Sequence, residues 1–226
     1  MVFNITECVD FHHGKRIVIT ILVCGHDVVI IMHKEGDALL IQQPVYYPFR
    51  EVIEDNGRIF VNNQLHYEDG KYTIDFEDFE KKIVDNNVKV FILCNPHNPV
   101  GRVWTKEELE KMGDICLKHN VVIMDDEIHC DFTYPGFKFT SFMTLDEKYH
   151  NSLVLYTSPS KTFNVAGLQP ANIIIKNPEL RAAYRKANAA AGYSQGSIMG
   201  QVAVKSVYTK GDEWVNELVE YITGNM

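Results

Sequence analysis

The residue with the most informative chemistry in this chain of 226 amino acids is Lys161. It follows a short apolar run at 153–156, and the small hydroxyl residues Ser158 and Ser160 precede it. Burying an unpaired ammonium is costly, so a lysine at the end of a predicted buried strand is an unusual choice for packing. A desolvated lysine becomes a nucleophilic amine that can form a Schiff base, and the serines would then donate to a phosphate. Taken alone, the pattern fits a surface-loop lysine better.

Two further groups of polar residues follow predicted strands upstream of Lys161. Asn98 lies in the run 95–101, directly after an apolar strand, and Asp126 and His129 directly follow the next apolar strand. In an open α/β sheet, ligands bind in the crevice outside the carboxyl ends of the strands. We therefore expect these residues to meet at one edge of a sheet and to form one site.

These runs resemble motifs of the fold-type I pyridoxal-phosphate (PLP) enzymes, the aminotransferase class I/II superfamily. More narrowly, they resemble the MalY/PatB-like branch of cystathionine β-lyases (C–S lyases). The markers are Q-P-V-Y-Y-P-F at 43–49, N-P-H-N-P-V-G-R-V-W at 95–104, D-E-I-H at 126–129 and S-K-T-F-N at 160–164. The resemblance implies PLP as the cofactor and an amino acid as the substrate.

The resemblance also implies a role for each residue of the predicted site. Lys161 would hold PLP covalently and then shuttle the substrate's α-proton as base and acid. Asp126 would face the pyridine nitrogen and keep it protonated. Asn98 and His129 would lie beside the phenolate oxygen of PLP, and Tyr46 would stack on the pyridine face.

The phosphate of PLP is expected to bind Ser158 and Ser160, with one departure from the family pattern. Most aminotransferases of this superfamily carry an arginine eight residues after the lysine, and this chain has Gln169 there. One charge-assisted contact is therefore missing. Glutamine at this position resembles the C–S lyase branch and argues against an ordinary transaminase.

Packing or turn chemistry offers an alternative reading of several residues. Tyr46 could belong to a core-packing turn, Asn98 lies between two prolines, and His129 could be a buried structural histidine. We expect Asp125 to point to the opposite side of its strand end. Glu127 is expected to be an ion-pair partner rather than a catalyst.

Composition argues against several classes of function. The net charge is −8 and basic residues are not clustered, so a nucleic acid is not an expected partner. No apolar run approaches the length of a membrane span, and the scattered histidines predict no metal site. Five cysteines without a C-x-x-C pair predict reduced thiols and a cytoplasmic setting.

The surrounding sequence alternates predicted strands and helices. Strands are predicted at 38–41, 58–62, 88–93, 121–124, 153–156 and 172–175. Helices are predicted from the turn at 46–48 to residue 55, after an N-cap at Asp75, after a capping box at 105–108, and over 178–191. This alternation predicts an α/β fold: a mostly parallel sheet with helices on both faces. The resemblance identifies it with the three-layer α/β/α large domain of PLP-dependent transferases.

Two segments are predicted along the chain, and only the second matches the family motifs. Residues 1–33 are expected to be a divergent N-terminal segment, in which only the run 23–29 is reminiscent of a phosphate-binding glycine loop. Residues 34–226 are expected to be an incomplete PLP-binding large domain. Relatives are expected to add a small domain with an arginine for the substrate carboxylate. This chain is therefore expected to bind PLP weakly and to show little turnover.

The predicted function is PLP-dependent C–S β-elimination, which converts cystathionine or a similar cysteine conjugate to a thiol, pyruvate and ammonia. A PLP-dependent aminotransferase is the first alternative, because it uses the same residues. A non-catalytic remnant is the second alternative. The full-length protein is expected to form a homodimer, as its relatives do.

Overall fold

The structure, a computed structural model, describes residues 34–190 and 197–225. A six-stranded sheet forms its centre. The strands of this sheet are β1 (Ala38–Ile41), β2 (Ile59–Asn62), β5 (Val88–Cys94), β6 (Val122–Asp126), β7 (Leu153–Thr157) and β8 (Asn172–Ile174). Their order is β2-β1-β5-β6-β7-β8, and all neighbours are parallel except β7 and β8. A separate two-stranded hairpin consists of β3 (His66–Glu68) and β4 (Lys71–Thr73).

Helices account for most of the remaining described residues. The α-helices are α1 (Pro48–Asp55), α2 (Phe76–Asp85), α3 (Lys106–Lys118), α4 (Pro178–Ala190), α5 (Ile198–Lys210) and α6 (Asp212–Thr223). Short 3₁₀ helices span Phe142–Thr144, Glu147–Ser152 and Ala166–Leu168.

Two predicted helix starts are formed by side-chain caps. The Asp75 carboxylate accepts from the backbone N–H groups of Glu77 and Asp78, which begins α2. At the start of α3, the Thr105 hydroxyl accepts from the Glu108 N–H at 3.2 Å, and the Glu108 carboxylate accepts from the Thr105 N–H at 2.9 Å. These bonds satisfy N–H groups that have no partner inside the helix, so the predicted cap and capping box are confirmed.

The sheet is covered by helices on both faces. On one face, Phe91 of β5 packs with Phe79 of α2 and Leu109 of α3. On the other face, Ile92 of β5 packs in a second cluster that includes Phe49 of α1. Strands buried on both sides read as continuous apolar runs, which is why β5 was recognisable in the sequence. The predicted mostly parallel α/β fold is confirmed.

Some details of the fold differ from the sequence-based expectation. β8 is antiparallel to β7, because the connection at 158–171 contains only a single-turn 3₁₀ helix and no crossover helix. The β3–β4 hairpin, α5 and α6 were not predicted. None of the helices at 34–190 and 197–225 is long and apolar enough to cross a membrane, and no metal-type cluster of His, Cys, Asp and Glu occurs in these ranges.

Candidate active site at the carboxyl edge of the sheet

The three predicted motifs follow the carboxyl ends of three adjacent strands, and these strand ends are aligned in the sheet. In the register of the sheet, Cys94 of β5 lies opposite Asp126 of β6, and Asp126 lies opposite Tyr156 of β7. Backbone bonds of 2.9 Å continue this alignment beyond the strands, from Asn95 N–H to the Asp126 carbonyl and from Glu127 N–H to the Tyr156 carbonyl. The expectation that the three runs meet at one edge of the sheet agrees with this geometry.

Asp126 is the last residue of β6, and its side chain is half-buried. Its Oδ1 accepts from the Ile128 N–H at 3.1 Å. Burial raises the pKa of this carboxyl to about 6, while the Ile128 N–H and the Lys161 ammonium act in the opposite direction. Lys161 is therefore close enough to Asp126 to interact with its charge.

Lys161 lies in the turn after β7, and its side chain is exposed. The expectation of a desolvated lysine is wrong for the chain as described, because no described element covers it. Its ammonium nevertheless affects two groups near the end of β6. The pKa of His129 is lowered by burial, the larger cause, and by the Lys161 ammonium. The same ammonium opposes the rise that burial causes in the pKa of Asp126. The structure thus brings Lys161, Asp126 and His129 into one electrostatic neighbourhood.

Asn98 is half-buried in the loop that follows β5. Its backbone N–H donates to the Cys94 Sγ at 3.4 Å, and the same Sγ donates to the Pro96 carbonyl at 3.4 Å. The side-chain amide of Asn98 has no hydrogen-bond partner within 34–190 and 197–225. The amide is therefore available to donate to a cofactor, and its predicted contact with PLP stays a prediction.

Tyr46 lies just before α1 and is half-buried. Its ring meets Phe49 edge-on with 5.7 Å between centroids and an interplanar angle of 87°, and it lies 5.7 Å from the ring of Tyr47. This aromatic packing is the alternative weighed for Tyr46, and it restricts the movement of the ring. Stacking of its face on a cofactor stays a prediction.

Ser158 and Ser160 bond to each other and to a backbone carbonyl. Their hydroxyl oxygens are 2.6 Å apart, and the Ser158 Oγ is 2.5 Å from the Pro170 carbonyl oxygen. The Ser160 N–H also donates to the Ser158 Oγ at 3.1 Å. Each hydroxyl has one proton to donate, so a phosphate bound here would have to replace one of these bonds. Nearby, Gln169 is exposed and adopts a left-handed backbone with φ 54°.

Asp125 and Glu127 lie on the opposite side of β6 from Asp126. Both are buried, with 0% and 1% of their surface exposed, and the Glu127 Oε1 accepts from the Phe142 N–H at 2.9 Å. Burial and the neighbouring carboxyl raise the pKa of Asp125 well above its usual range. The expected orientation of Asp125 agrees with this position. The expected ion pair of Glu127 is wrong, because its charged neighbour is a second carboxyl, Asp125, and no cation pairs with it within 34–190 and 197–225.

The loop 95–104 contains structural residues that sequence reasoning did not assign. The His97 Nε2 is 3.0 Å from the Pro44 carbonyl, and burial lowers the pKa of His97 to about 4, so the ring is neutral and donates at neutral pH. This bond joins the loop of Asn98 to the segment of Tyr46. The Trp104 indole N–H donates to the Cys94 carbonyl at 3.0 Å. In the sequence, the clustering of aromatic and proline residues around His97 was the signal that could have indicated this structural role.

Arg102 links the same loop to two other elements. It donates to both carboxylate oxygens of Glu108 at 2.6 and 2.7 Å and to the Tyr72 carbonyl at 2.7 Å. Its guanidinium also lies 4.5 Å from the centroid of the Trp104 ring. The loop that carries Asn98 is therefore braced by the start of α3 and by the β3–β4 hairpin.

Comparison with known proteins identifies the family. A model of the family "Aminotransferase class I and II" matches residues 24–226. The chain belongs to this family. It is 44% identical to cystathionine beta-lyase PatB of Bacillus subtilis (strain 168) and 32% identical to protein MalY of Escherichia coli (strain K12). Each match covers 84% of this chain, and they cover 49% and 48% of the respective relatives.

Solved structures of the aminotransferase class I and II family share the fold. Cystalysin from Treponema denticola, whose crystal structure contains PLP, superposes with a TM-score of 0.84 at 40% identity, over 86% of this chain and 50% of that one. The PLP-bound C–S lyase from Staphylococcus hominis has a TM-score of 0.79 at 34% identity, over 87% and 49%. The chain thus spans about half the length of the relatives it matches, and the predicted resemblance is confirmed.

The donor set of the site fits PLP. The carboxyl edge offers an amine at Lys161 for the cofactor aldehyde and hydroxyls at Ser158 and Ser160 for its phosphate. Asp126 is a half-buried carboxyl with a raised pKa, and a cationic pyridinium N–H beside it would stabilise its ionised form. The run 23–29, the other predicted phosphate contact, lies outside the described residues, as do Cys8 and Cys24. Cys94, Cys116 and Cys130 are free thiols.

Proposed function

We propose that this chain carries the cofactor-binding site of a PLP-dependent C–S β-lyase that acts on cystathionine or a similar cysteine conjugate. The observation that carries the proposal is the juxtaposition of Lys161 and Asp126 at the ends of neighbouring strands in a chain 44% identical to a cystathionine β-lyase. The reaction would consume one water and release a thiol, pyruvate and ammonia.

PLP, when bound, supplies an aldehyde for amines and a ring that accepts electrons from the substrate's α-carbon. The described residues would do the rest. The Lys161 Nζ, on the turn after β7, would hold the cofactor covalently; once the substrate's amine has replaced it, the freed neutral amine would take the substrate's α-proton. The Asp126 carboxylate holds a proton on the pyridine nitrogen, so that the ring keeps its capacity to accept electrons.

The remaining predicted residues would orient the cofactor. The Asn98 amide, free of described partners, donates to the phenolate oxygen, and the His129 ring lies beside the same oxygen. Tyr46, whose ring already packs against Phe49, would cover one face of the cofactor ring. Ser158 exchanges its bond to the Pro170 carbonyl for one to the phosphate.

Transamination is the second candidate, and one comparison favours it. The probable kynurenine–oxoglutarate transaminase BNA3 of Saccharomyces cerevisiae (strain ATCC 204508 / S288c) is 31% identical over 76% of this chain and 40% of that protein. Both reactions would begin with removal of the substrate's α-proton by the same lysine. Elimination would then expel the β-thiolate, whereas transamination would return the proton to the cofactor carbon. The chain's 44% identity to a lyase and the glutamine at position 169 favour elimination.

The test is to incubate the PLP-loaded protein with cystathionine and to measure pyruvate with a lactate dehydrogenase assay in the absence of a keto acid. The proposal expects pyruvate from the wild type, formed slowly because this chain is expected to bind PLP weakly, and none from Lys161→Ala. Amino transfer that requires a keto acid, without pyruvate, would favour the transaminase. PLP bound at Lys161 with neither reaction would favour the non-catalytic alternative.

Two properties of the whole protein belong to the same proposal. We propose a homodimer, which sedimentation equilibrium would test. We also propose a cytoplasmic setting, which fits the three free thiols within 34–190 and 197–225. Cell fractionation would test it. The partner would be the small-molecule substrate, and the net charge of −8 argues against a nucleic acid.

A further inference from the structure

Thr162 directly follows the exposed Lys161, yet only 1% of its own surface is exposed. Its hydroxyl donates to the Asp131 Oδ2 at 2.8 Å. Its backbone carbonyl accepts from the Trp214 indole N–H at 2.9 Å. One residue is thus held from two sides, by the loop after β6 and by helix α6, while the side chain of its neighbour Lys161 is exposed.

The next residue is docked as closely. A Cβ on Gly211, which separates α5 from α6, would lie only 2.3 Å from the Phe163 ring, so a glycine is required for the ring to pack there. The Phe163 ring also meets Tyr208 edge-on, with 6.3 Å between centroids. The Phe163 N–H donates to the Pro159 carbonyl at 2.9 Å, which closes the turn around Lys161.

Asp131 connects this turn to the other half of the site. It lies in the loop that also carries His129 and follows Asp126. Burial raises the pKa of Asp131, and the Thr162 hydroxyl and the Cys130 thiol oppose that rise by donating to the carboxylate. The bond between Thr162 and Asp131 is therefore a direct link between the loop of the pyridine-binding acid and the loop of the Schiff-base lysine.

We propose that Asp131, Thr162 and Trp214 form an anchor that positions Lys161 against Asp126 and the aldehyde of the cofactor. The inference rests on the proposed function and names residues that the family motifs do not assign. An exposed lysine has four rotatable side-chain bonds, and no described contact orders its amine. Within 34–190 and 197–225, the position of that amine is therefore controlled through the backbone, and the anchor fixes that backbone at residue 162 from two sides.

Thr162→Val tests the anchor, because valine keeps the shape of the side chain and removes the hydroxyl. Thr162→Ser keeps the hydroxyl, and Trp214→Phe keeps an aromatic ring without the N–H. Thr133→Val is the matched control: Thr133 is in the same loop as Asp131, and its hydroxyl donates to the Cys130 carbonyl at 3.2 Å, away from Thr162.

The first readout needs no cofactor. Hydrogen–deuterium exchange of the amides at 163 and 165, which close the turn, should accelerate in Thr162→Val and less strongly in Trp214→Phe. The second readout is the rate at which PLP becomes fixed to Lys161, measured by borohydride trapping and peptide mapping. Thr162→Val should slow this rate by about tenfold or more, and Thr162→Ser and Thr133→Val by less than about twofold.

Wild-type exchange and wild-type trapping rates in Thr162→Val would overturn the anchor. If Thr162→Val does not fold, as judged by circular dichroism, the comparison of Trp214→Phe with Thr133→Val decides in the same way. Trapping of PLP at a different lysine in the wild type would refute the proposed function, while the exchange measurement would still decide whether the anchor exists.

Discussion

Replacing Asp126 by asparagine should weaken PLP binding by about a hundredfold. Burial raises the pKa of this carboxyl from its usual 3.8 to about 6. That difference corresponds to about 3 kcal/mol, which is the free-energy cost of keeping Asp126 ionised in the cofactor-free protein at neutral pH. A pyridinium N–H beside the carboxylate would recover this free energy on binding. An asparagine has no charge to stabilise, so the variant gains nothing from the pyridinium.

The assay is a titration of cofactor-free protein with PLP, following the visible absorption band of lysine-bound PLP. Asp125→Asn is the matched control, because Asp125 is adjacent, fully buried and directed to the other face of β6. Burial and the neighbouring carboxyl raise the pKa of Asp125 and so favour its neutral form, which a neutral amide resembles, and the affinity should change by less than about threefold. Asp126→Asn should also lose more catalytic activity than Asp125→Asn. Equal losses in the two variants would refute the assigned register of the strand end.

Three further outcomes are expected. Lys161→Ala should abolish the visible band without unfolding the protein, and a borohydride-trapped pyridoxyl group on any other lysine would contradict the site. The pKa of Asp126 and that of Glu127 are both raised by burial, so the folded state holds these protons more tightly than the unfolded state does. Their contribution to the free energy of unfolding is therefore full below about pH 4 and declines as the pH rises to about 7; urea denaturation should show a shallower decline in Glu127→Gln. Gly113→Ala should destabilise by about 1–3 kcal/mol, because the new Cβ would lie 2.6 Å from the Tyr149 ring, whereas Gly167→Ala meets no atom within 4 Å and should be neutral by thermal melting.

The location of the site was predictable because local signals and fold rules agree there. β5, β6 and β7 are buried runs that read as strands without any knowledge of their neighbours. The rule that ligands bind beyond the carboxyl ends of parallel strands then places Asn98, Asp126 and Lys161 at one edge. The caps at Asp75 and Thr105 were equally readable, because a capping interaction spans only three residues of sequence.

Features that depend on distant segments could not be predicted in this way. The exposure of Lys161 is set by what covers the turn, which the residues around it do not encode. The neighbour of Glu127 is Asp125, and only the packed structure shows that these two carboxyls share a dry environment rather than an ion pair. No role was predicted for Thr162, because its partner Trp214 lies 52 residues further along the chain.

The contact between Arg102 and Glu108 constrains the order in which this sequence can diverge. Glu108 completes the capping box of α3 and also receives two bonds from Arg102, so one carboxylate serves two segments. Losing Arg102 first leaves Glu108 with its role at the helix start. Losing Glu108 first leaves a mostly buried guanidinium with the Tyr72 carbonyl as its described hydrogen-bond acceptor, which is the costlier intermediate. Among descendants of one ancestor, substitutions at position 102 should therefore precede those at position 108.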